Sequence, residues 1–250
     1  MNMIHENDMV HENDMAHENE YIEIVDYYDD VLTSGYYDFD ALSHSLHQLL
    51  GTRRKILDIG VGTGLLAEKM IHLEAYKIVG VDFSSRMLER AKNRLADSDV
   101  NLIHKDITEF TTEDTFDAIV SSGGAIYVVE EEGEYRIYSH ITDKQKNEQL
   151  IGKLHRQLNK DGILALAIQG SHNNYKKKIK DDLIYEQRVI KHGSYVDKWY
   201  TFSRSNGKVL TEQFCRFLFF DGQQTDQLLD DAGFSPKREV VDAKFWTSYK

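Results

Sequence analysis

The chain has 250 residues, of which 41% are hydrophobic and 29% charged, which supplies a core and excludes a wholly disordered protein. Its net charge of −12 argues against wrapping a long nucleic acid or binding an anionic membrane surface. No apolar run is long enough to span a bilayer, and the single cysteine, Cys215, excludes an intramolecular disulfide and fits a reducing compartment. We therefore expect a cytoplasmic monomer or homodimer with neither nucleic-acid nor membrane partners.

Residues 1–20 differ from the rest of the chain. The hexapeptide at residues 5–10 recurs at 11–16 with one change and partly at 17–20, and the segment contains six carboxylates but no Lys or Arg. It lacks the charged and apolar regions of a signal peptide. A polar segment of this kind cannot offset the entropy cost of ordering. The sequence therefore predicts a disordered acidic tail over 1–20 and one folded domain over 21–250.

Strands and helices are predicted to alternate from residue 39 onward. A stripe of leucines predicts a helix over 39–50 that ends at Gly51. The predicted strands are 55–59, 77–82, 101–104, 116–121 and 162–169, and the further predicted helices are 65–72, 84–96 and 144–158. The acidic run at 130–134 is predicted to be a solvated loop. Alternation at this spacing indicates an α/β protein with a parallel, doubly wound sheet.

The alternation stops after Gln169. Residues 171–194 are polar and rich in lysine, and 195–220 alternate like strands on either side of a Ser205-Asn206-Gly207 turn. We therefore predict an antiparallel lid inserted at about 171–222. A helix over 226–232 and strands over 238–241 and 244–249 are predicted to complete the domain.

A glycine-rich turn follows the first predicted strand, where residues 58–64 read DIGVGTG. Glycines let a ligand approach the main chain closely, and the amides at the start of the next helix can bind an anionic group. Asp82 ends the second strand, where a carboxylate can accept hydrogen bonds from both hydroxyls of a ribose. Asp106 follows the third strand and is placed to meet an adenine edge. These residues predict a nucleotide-like ligand.

A dinucleotide-binding dehydrogenase is the first alternative. Its motif has glycines at the first, third and sixth positions, whereas here the sixth position is Leu65 and glycine stands at the fifth. Asp58 would also repel a pyrophosphate. A ligand with an amino group or another cation suits that carboxylate better, and S-adenosylmethionine has both features.

Four motifs occur one after another along the chain: residues 58–64, Asp82 followed by Phe83 and Ser84, residues 106–107, and residues 116–121. Their order and spacing are those of a known enzyme family. Over about residues 50–170, with a weaker match at 228–234, the sequence resembles class I S-adenosylmethionine-dependent methyltransferases. In pattern it is similar to small-molecule members such as glycine and aminosugar N-methyltransferases. The resemblance implies a seven-stranded Rossmann-like sheet, an antiparallel insertion after the fifth strand, and S-adenosylmethionine as cofactor.

The resemblance also implies roles for individual residues. The implied cofactor-binding residues are Tyr28, Asp58, Gly60, Gly62, Gly64, Asp82, Phe83, Met87, Asp106, Ile107, Ser121, Ser122 and Gly123. Asp58 would reach the amino group of the cofactor, Asp82 would hold the ribose, and Asp106 would accept the adenine amine. Tyr28 lies in a tyrosine-rich segment whose rings could face the sulfonium through cation–π attraction.

The acceptor site is less well defined. An amine can lose its proton to water, whereas a hydroxyl acceptor would need a fixed base. The candidate catalytic residues are Tyr28, His172, Tyr175 and Ser203, with His140 and His192 as further possible bases. The candidate acceptor-binding residues are Tyr37, Tyr175, Trp199, Ser203 and Arg204, the last of which could hold a carboxylate.

Two classes of methyltransferase are disfavoured. Enzymes that methylate base or amide nitrogens usually carry Asn/Asp-Pro-Pro-Tyr after the fourth strand, but residues 121–124 read SSGG and the only proline is Pro236. Ser121 also replaces the carboxylate of metal-dependent members, so no metal is expected. The sequence predicts methyl transfer to a nitrogen or oxygen of a small metabolite. The alternatives are cyclisation of the cofactor's aminobutyl chain, which releases methylthioadenosine, and a non-catalytic cofactor-binding module.

Overall fold

The computed structural model describes Tyr21 and residues 23–235, 239–242 and 245–250. The predicted tail at 1–20 lies outside the described residues. Within the described ranges, no helix combines the length and the apolar character needed to cross a bilayer.

Helices and strands follow one another largely as the hydrophobic pattern predicts. The helices are α1 (Val25–Val31), α2 (Phe39–Leu50), α3 (Leu65–Leu73), α4 (Ser85–Arg94), α5 (Lys144–Arg156) and α6 (Gly222–Asp231), and a π-helical segment (Leu32–Tyr36) follows α1. The strands are β1 (Lys55–Ile59), β2 (Lys77–Asp82), β3 (Asn101–His104), β4 (Phe116–Ser121), β5 (Ile126–Glu131), β6 (Glu134–Ser139), β7 (Leu158–Gly170), β8 (Tyr175–Lys180), β9 (Leu183–His192), β10 (Tyr195–Arg204), β11 (Val209–Phe219), β12 (Glu239–Asp242) and β13 (Trp246–Tyr249).

Side-chain caps determine where several helices begin. The Ser84 hydroxyl accepts a hydrogen bond from Met87 N, as expected for the residue that starts α4. Helix α6 begins four residues before its predicted start, because the Asp221 carboxylate and the Gln224 side chain form a capping box around Gly222. The prediction missed this start because the first turn of α6 contains no apolar residue that would extend the helical hydrophobic pattern.

The central sheet has the strand order β3-β2-β1-β4-β7, and all of these neighbours are parallel. Strand β13 pairs antiparallel with β7, and β12 pairs with β13. Successive residues of β1 enter two different cores: Ile56 joins the cluster that includes α2 and α3, and Leu57 joins the cluster that includes α5 and α6. Helices thus cover both faces of the sheet, and the predicted Rossmann-like α/β fold is confirmed.

The sheet is larger than the predicted seven strands, because thirteen strands are joined in the described part of the chain. Strand β7 has 13 residues, and its last part pairs in parallel with β5 at Val128↔Ile168. From there the sheet continues as β5-β6-β11-β10-β9-β8, with antiparallel neighbours. We call strands β5, β6 and β8–β11 the antiparallel layer.

One part of the antiparallel layer was predicted wrongly, and another was predicted only as part of the antiparallel lid. The acidic run at 130–134 is the tight end of the β5–β6 hairpin, in which Glu131 is 5% exposed and pairs with Arg136 and Lys191. Strands β8 and β9 occupy most of the polar stretch at 171–194. Strand β8 is the last strand of the sheet, so its lysines stay solvated and leave no apolar alternation to recognise.

Residues 23–37, which we call the N-terminal strap, pack on the antiparallel layer. Ile24 and Val31 belong to a buried cluster with Phe202 and Phe217. The Tyr27 ring stacks on Phe202 with centroids 5.1 Å apart. These contacts hold the strap above the carboxyl edge of the central sheet, where the glycine-rich turn lies.

Candidate functional site

A cavity of about 380 Å³ lies between the carboxyl edge of the central sheet, the N-terminal strap and the antiparallel layer. Its volume is within the range of small-molecule sites. One side, which we call the glycine end, is lined by Gly60, Gly62, Thr63, Asp82, Phe83, Ser84, Met87, Asp106 and Ile107, with Ser122 and Gly123 beside them. The other side, which we call the aromatic end, is lined by Tyr21, Tyr28, Tyr36, Tyr37, Tyr127, His140, Tyr185, Lys198, Tyr200, Phe202 and Phe217.

The floor of the glycine end depends on a close approach of two loops. Gly60 has a φ of 75°, and a Cβ at this position would lie 2.5 Å from Gly124 Cα. The loops after β1 and β4 therefore touch main chain to main chain, which only glycine permits. A Cβ on Gly123 would lie 2.8 Å from Gln169 Nε2 and 3.2 Å from the Tyr37 hydroxyl, so this glycine leaves room between two polar groups.

Asp82 holds the glycine-rich turn in place. Its Oδ2 accepts a hydrogen bond from Gly62 N at 2.8 Å, and its Oδ1 accepts one from Ser84 N at 2.9 Å. The side chain is 8% exposed, and burial raises the pKa of its carboxyl group. A carboxylate has about four acceptor positions, so two remain for hydroxyl groups of a ligand in the cavity.

Asp58 lies behind the turn rather than in the cavity wall. It is 4% exposed, and among the described residues its Oδ1 has no hydrogen-bond partner. Burial, together with the nearby charge of Asp82, raises the pKa of Asp58 to about 7. A buried carboxylate oxygen without a donor fits a ligand that brings a positive charge, such as the amino group of S-adenosylmethionine.

The affinity for S-adenosylhomocysteine is expected to rise with pH between about pH 6 and 7. Only ionised Asp58 attracts an ammonium group, and at lower pH its proton must leave before binding. The affinity should therefore increase by up to about tenfold per pH unit and level off above the pKa of about 7. Calorimetric titration would measure this, and Asp58→Asn should flatten the dependence. The same dependence in that variant would contradict the role of Asp58.

The outer wall of the glycine end combines one carboxylate with apolar side chains. Met87 and Ile107 are buried, and Phe83 is partly exposed beside them. Asp106 Oδ1 accepts hydrogen bonds from the amide and hydroxyl of Thr108, which orients the carboxylate. An apolar slot with an oriented acceptor at its edge suits a flat ring that carries an amine, such as adenine.

Lys153 supports this wall from α5 and was not predicted from the sequence. Its ammonium donates hydrogen bonds to three carbonyls of one turn, those of Ile107, Thr108 and Phe110, at 2.5, 3.0 and 3.0 Å. The loop after β3 is thus fixed by a residue more than forty positions away. A lysine on an amphipathic helix carries no local signal of such a role.

Besides Asp58, two predicted cofactor residues lie outside the cavity wall. Ser121 is buried, and its hydroxyl donates to Ile59 O at 3.2 Å, which ties β4 to β1. Gly64 is the left-handed N-cap of α3 and packs against Leu95 and Ala91 of the α4 region. Both residues shape the loops next to the cavity, because their atoms point into the protein rather than toward a ligand.

Tyrosines make up most of the aromatic end. Tyr21 and Tyr28 meet edge to face with centroids 5.6 Å apart, and Tyr21 lies 6.0 Å from Tyr200. Tyr28 lies close to the glycine end, since the Asp82 charge adds to burial in raising the pKa of its hydroxyl. Rings with electron-rich faces around one cavity are suited to a cationic centre.

Two ionisable groups stand among these rings. Lys198 is 2% exposed, and its ammonium lies 5.0 Å from the centre of the Tyr200 ring and 5.5 Å from that of Phe217. Burial lowers the pKa of Lys198 to about 7. Burial and the charge of Lys198 lower the pKa of His140 to about 3, so His140 is a neutral imidazole at pH 7.

Two residues of β10 that were predicted to bind the acceptor, Trp199 and Ser203, do not line the cavity. Lys198, Tyr200 and Phe202 line the cavity, so the residues between them point away. Trp199 accordingly stacks under the Arg188 guanidinium, 4.0 Å from the ring centre, outside the cavity. Ser203 follows a shift of register after Phe202 and is buried outside the wall.

The remaining acceptor and base candidates also lie outside the cavity wall. Arg204 closes the β10–β11 turn through main-chain hydrogen bonds with Lys208 and Gly207. Tyr175 packs edge to face on Tyr185, 5.5 Å away, and reaches the cavity through that ring. His172 packs behind the wall against Tyr138 and pairs with Gln169, and His192 pairs with Asp197. Of the predicted catalytic, base and acceptor residues, Tyr28, Tyr37 and His140 line the cavity.

Ion pairs tie the N-terminal strap to the glycine end. Asp29 Oδ1 accepts a hydrogen bond from the Thr63 hydroxyl at 2.6 Å, and its Oδ2 pairs with Arg94 at 2.5 Å. Arg94 in turn donates to Thr63 O at 2.9 Å. One turn earlier, Asp26 pairs with Arg90 at 2.7 Å. The strap is thus attached to the turn that it covers.

Replacing Asp29 with asparagine is expected to weaken the binding of S-adenosylhomocysteine about fivefold. The variant keeps the shape of the side chain but loses the ion pair with Arg94, which is worth about 1 kcal/mol when partly solvated. The melting temperature should change little, because the core beneath the strap is intact. Calorimetric Kd values would test this, with Asp30→Asn as control because Asp30 pairs with Lys180 on the other side of the strap. Equal effects of the two variants would contradict it.

Comparisons with known proteins agree with this geometry. Residues 56–162 match a family model described as a methyltransferase domain. The chain is similar to the tRNA1(Val) (adenine(37)-N6)-methyltransferase of Phocaeicola vulgatus, with 32% identity over 122 residues that cover 46% of this chain and 51% of the relative. It spans about half or less of the length of the curated relatives that it matches.

Two solved structures share the fold across most of their length. An S-adenosylmethionine-dependent methyltransferase from Clostridium acetobutylicum aligns with a TM-score of 0.69 and 15% identity, over 90% of this chain and 95% of that one. A sugar N-methyltransferase from a Streptoalloteichus species aligns with a TM-score of 0.68 and 17% identity, over 89% and 91%.

The family match begins in β1 and ends in β7, so it contains the glycine-rich turn, Asp82 and Asp106. These are the residues that form the floor and outer wall of the glycine end. Through residues 56–162 the chain is similar to a methyltransferase domain, and its fold is shared with S-adenosylmethionine-dependent methyltransferases.

Proposed function

We propose that this protein transfers a methyl group from S-adenosylmethionine to a nitrogen or oxygen of a small metabolite. The observation that carries the proposal is the continuity of the cavity, which runs from Asp82 at the glycine end to Lys198 at the aromatic end. One site can therefore hold a nucleoside and a second molecule side by side. Tyr28 lines the cavity near Asp82, where the two ligands would meet.

The glycine end supplies the contacts that the cofactor requires. Asp82 would accept hydrogen bonds from the ribose, Asp106 from the adenine amine, and Asp58 from the amino group, while Gly60 and Gly62 leave the main chain open to the methionyl part. When bound, S-adenosylmethionine supplies an electrophilic methyl group on a sulfonium. Tyr28 would place a ring face against that cation.

The aromatic end would position the acceptor, and an amine acceptor can lose its proton to water. Transfer is an in-line displacement, in which the acceptor lone pair forms the new bond to carbon and the carbon–sulfur electron pair returns to sulfur. Holding the two molecules in line supplies much of the rate. His140 lines this end as a neutral imidazole, whose unprotonated nitrogen could orient the acceptor by accepting a hydrogen bond.

A small acceptor is favoured over a macromolecule. The strap and the antiparallel layer cover the aromatic end, which leaves a cavity rather than a groove. One of the similar structures is a sugar N-methyltransferase. The relative named for adenine methylation in tRNA matches over about half of its length, and residues 121–124 lack the Asn/Asp-Pro-Pro-Tyr loop that exocyclic base nitrogens usually require.

Incubation of the purified protein with S-adenosylmethionine, first alone and then with small amines, aminosugars and phenols, tests the proposal by mass spectrometry. We expect no turnover of the cofactor alone, and S-adenosylhomocysteine together with an acceptor one methyl group heavier when a suitable acceptor is present. Methylthioadenosine formed without an acceptor would instead establish cyclisation. Cofactor binding without turnover of any acceptor would favour the non-catalytic alternative.

A further inference from the structure

Lys198 is a buried cation without a carboxylate beside it. Among the described residues its ammonium makes no hydrogen bond or ion pair, and its contacts are the faces of the Tyr200 and Phe217 rings. Burying an unpaired ammonium group costs on the order of several kcal/mol. Since Lys198 lines the cavity, a ligand could supply the missing counter-charge.

The strand register explains why the protein does not supply a counter-charge for Lys198. Lys198 lies opposite Cys215 on β11 and Val189 on β9, and neither carries a carboxylate. The adjacent Asp197 points to the other face of the sheet, where it pairs with Arg216 and His192. The nearest acidic neighbour in sequence is therefore turned away from the cavity by the alternation of the strand.

The acidic residues that line the cavity do not lie beside Lys198. Asp82 and Asp106 lie at the glycine end, and Asp143 caps the start of α5 with a hydrogen bond from Lys146 N. The aromatic end contains tyrosines, phenylalanines and the neutral His140 around Lys198. Arg216 also lines the cavity, but its guanidinium is paired with Asp197, so Lys198 is the buried basic group of this end that has no carboxylate partner among the described residues.

We propose that Lys198 binds a carboxylate group of the methyl acceptor, so that the substrate is a small amine or alcohol that carries one carboxylate. The inference rests on the proposed function. One ammonium balances one negative charge, whereas a dianionic phosphate would leave a second charge in an apolar chamber. The rings around Lys198 would contact the body of the acceptor, and an anchored carboxylate would orient its nucleophilic atom toward the sulfonium beside Tyr28.

The ionisation behaviour of Lys198 is compatible with this role. Its pKa of about 7 results from burial, so an arriving carboxylate would draw a proton onto the amine and create the ion pair in place. His140 and Tyr200 face the same space, and Cys215 lies across the strand. The Tyr200 phenol stays neutral at pH 7, because burial raises its pKa, and neither His140 nor Cys215 carries a carboxylate.

Matched pairs of carboxylates and carboxamides provide the test. Glycine and glycinamide, 4-aminobenzoate and 4-aminobenzamide, and phenylalanine and phenylalaninamide would be titrated calorimetrically into protein saturated with S-adenosylhomocysteine. We expect at least one carboxylate to bind ten times or more tightly than its amide. Lys198→Met should abolish that preference, Lys198→Arg should retain it, and Lys176→Met should leave it unchanged because Lys176 is exposed on β8.

The absence of any preference in the wild-type protein, or a preference that survives in Lys198→Met, would overturn the proposal. Binding of S-adenosylhomocysteine by Lys198→Met shows that this variant folds and that its glycine end is intact. Failure of the wild-type protein to bind S-adenosylhomocysteine would instead count against the proposed function, so the two failures are distinguishable. An amide preferred over its carboxylate would assign Lys198 to proton removal rather than to binding.

Discussion

Replacement of Asp82 by alanine is expected to lower the affinity for S-adenosylhomocysteine by at least about 100-fold. The carboxylate would provide two acceptors for the ribose, and a hydrogen bond to a charged group is worth about 1.5–3 kcal/mol. The same substitution leaves Gly62 N and Ser84 N without their partners, so the glycine-rich turn also loses its present geometry. The loss therefore combines missing contacts with a displaced binding surface.

Isothermal titration calorimetry on the folded variant would measure this loss, with circular dichroism as a check of folding. Asp82→Asn should have an intermediate affinity, since it keeps one oxygen acceptor but no charge. Asp114→Ala is the control, because Asp114 is an exposed carboxylate that pairs with Lys55 away from the cavity. A Kd for Asp82→Ala within about threefold of the wild-type value would rule out the assigned role.

Gly60→Ala is expected to cause the largest loss of stability among single-methyl substitutions in the glycine-rich turn. The new Cβ would lie 2.5 Å from Gly124 Cα and 2.7 Å from Ala125 N, so two main-chain segments would have to separate. The left-handed backbone at Gly60 adds about 1–2 kcal/mol of strain. Together we expect a cost of at least about 3 kcal/mol, or a fall in melting temperature of about 6–12 °C.

Gly62→Ala is the matched control for thermal denaturation. Gly62 has a φ of 56°, but no atom lies within 4 Å of a Cβ built there. This variant should lose only the free energy of the backbone strain, about 1–2 kcal/mol of stability. If both variants melt at the same temperature, the close approach of the two loops contributes nothing to stability.

The sequence by itself determined the glycine end. Gly60, Gly62, Asp82 and Asp106 each lie at the end of a strand or within three residues after it. The carboxyl ends of adjacent parallel strands meet at one edge of the sheet. Local order along the chain therefore sufficed to bring these residues together. Three exceptions, Asp58, Gly64 and Ser121, lie next to the cavity but outside its wall. Neighbouring residues of a strand or turn point in different directions, so a shift of one position decides whether a side chain faces the cavity.

Only the tertiary structure decided the composition of the aromatic end. It combines the N-terminal strap with His140 after β6 and Lys198 on β10, which are far apart in the sequence and meet through strand pairing. The alternation of β10 places Lys198 in the cavity and Trp199 outside it, and a pattern of polar and aromatic residues on both faces does not reveal which face is inward. The buried Glu131 concealed strands β5 and β6, and the edge lysines concealed strand β8, because charges that are solvated or paired leave no apolar periodicity.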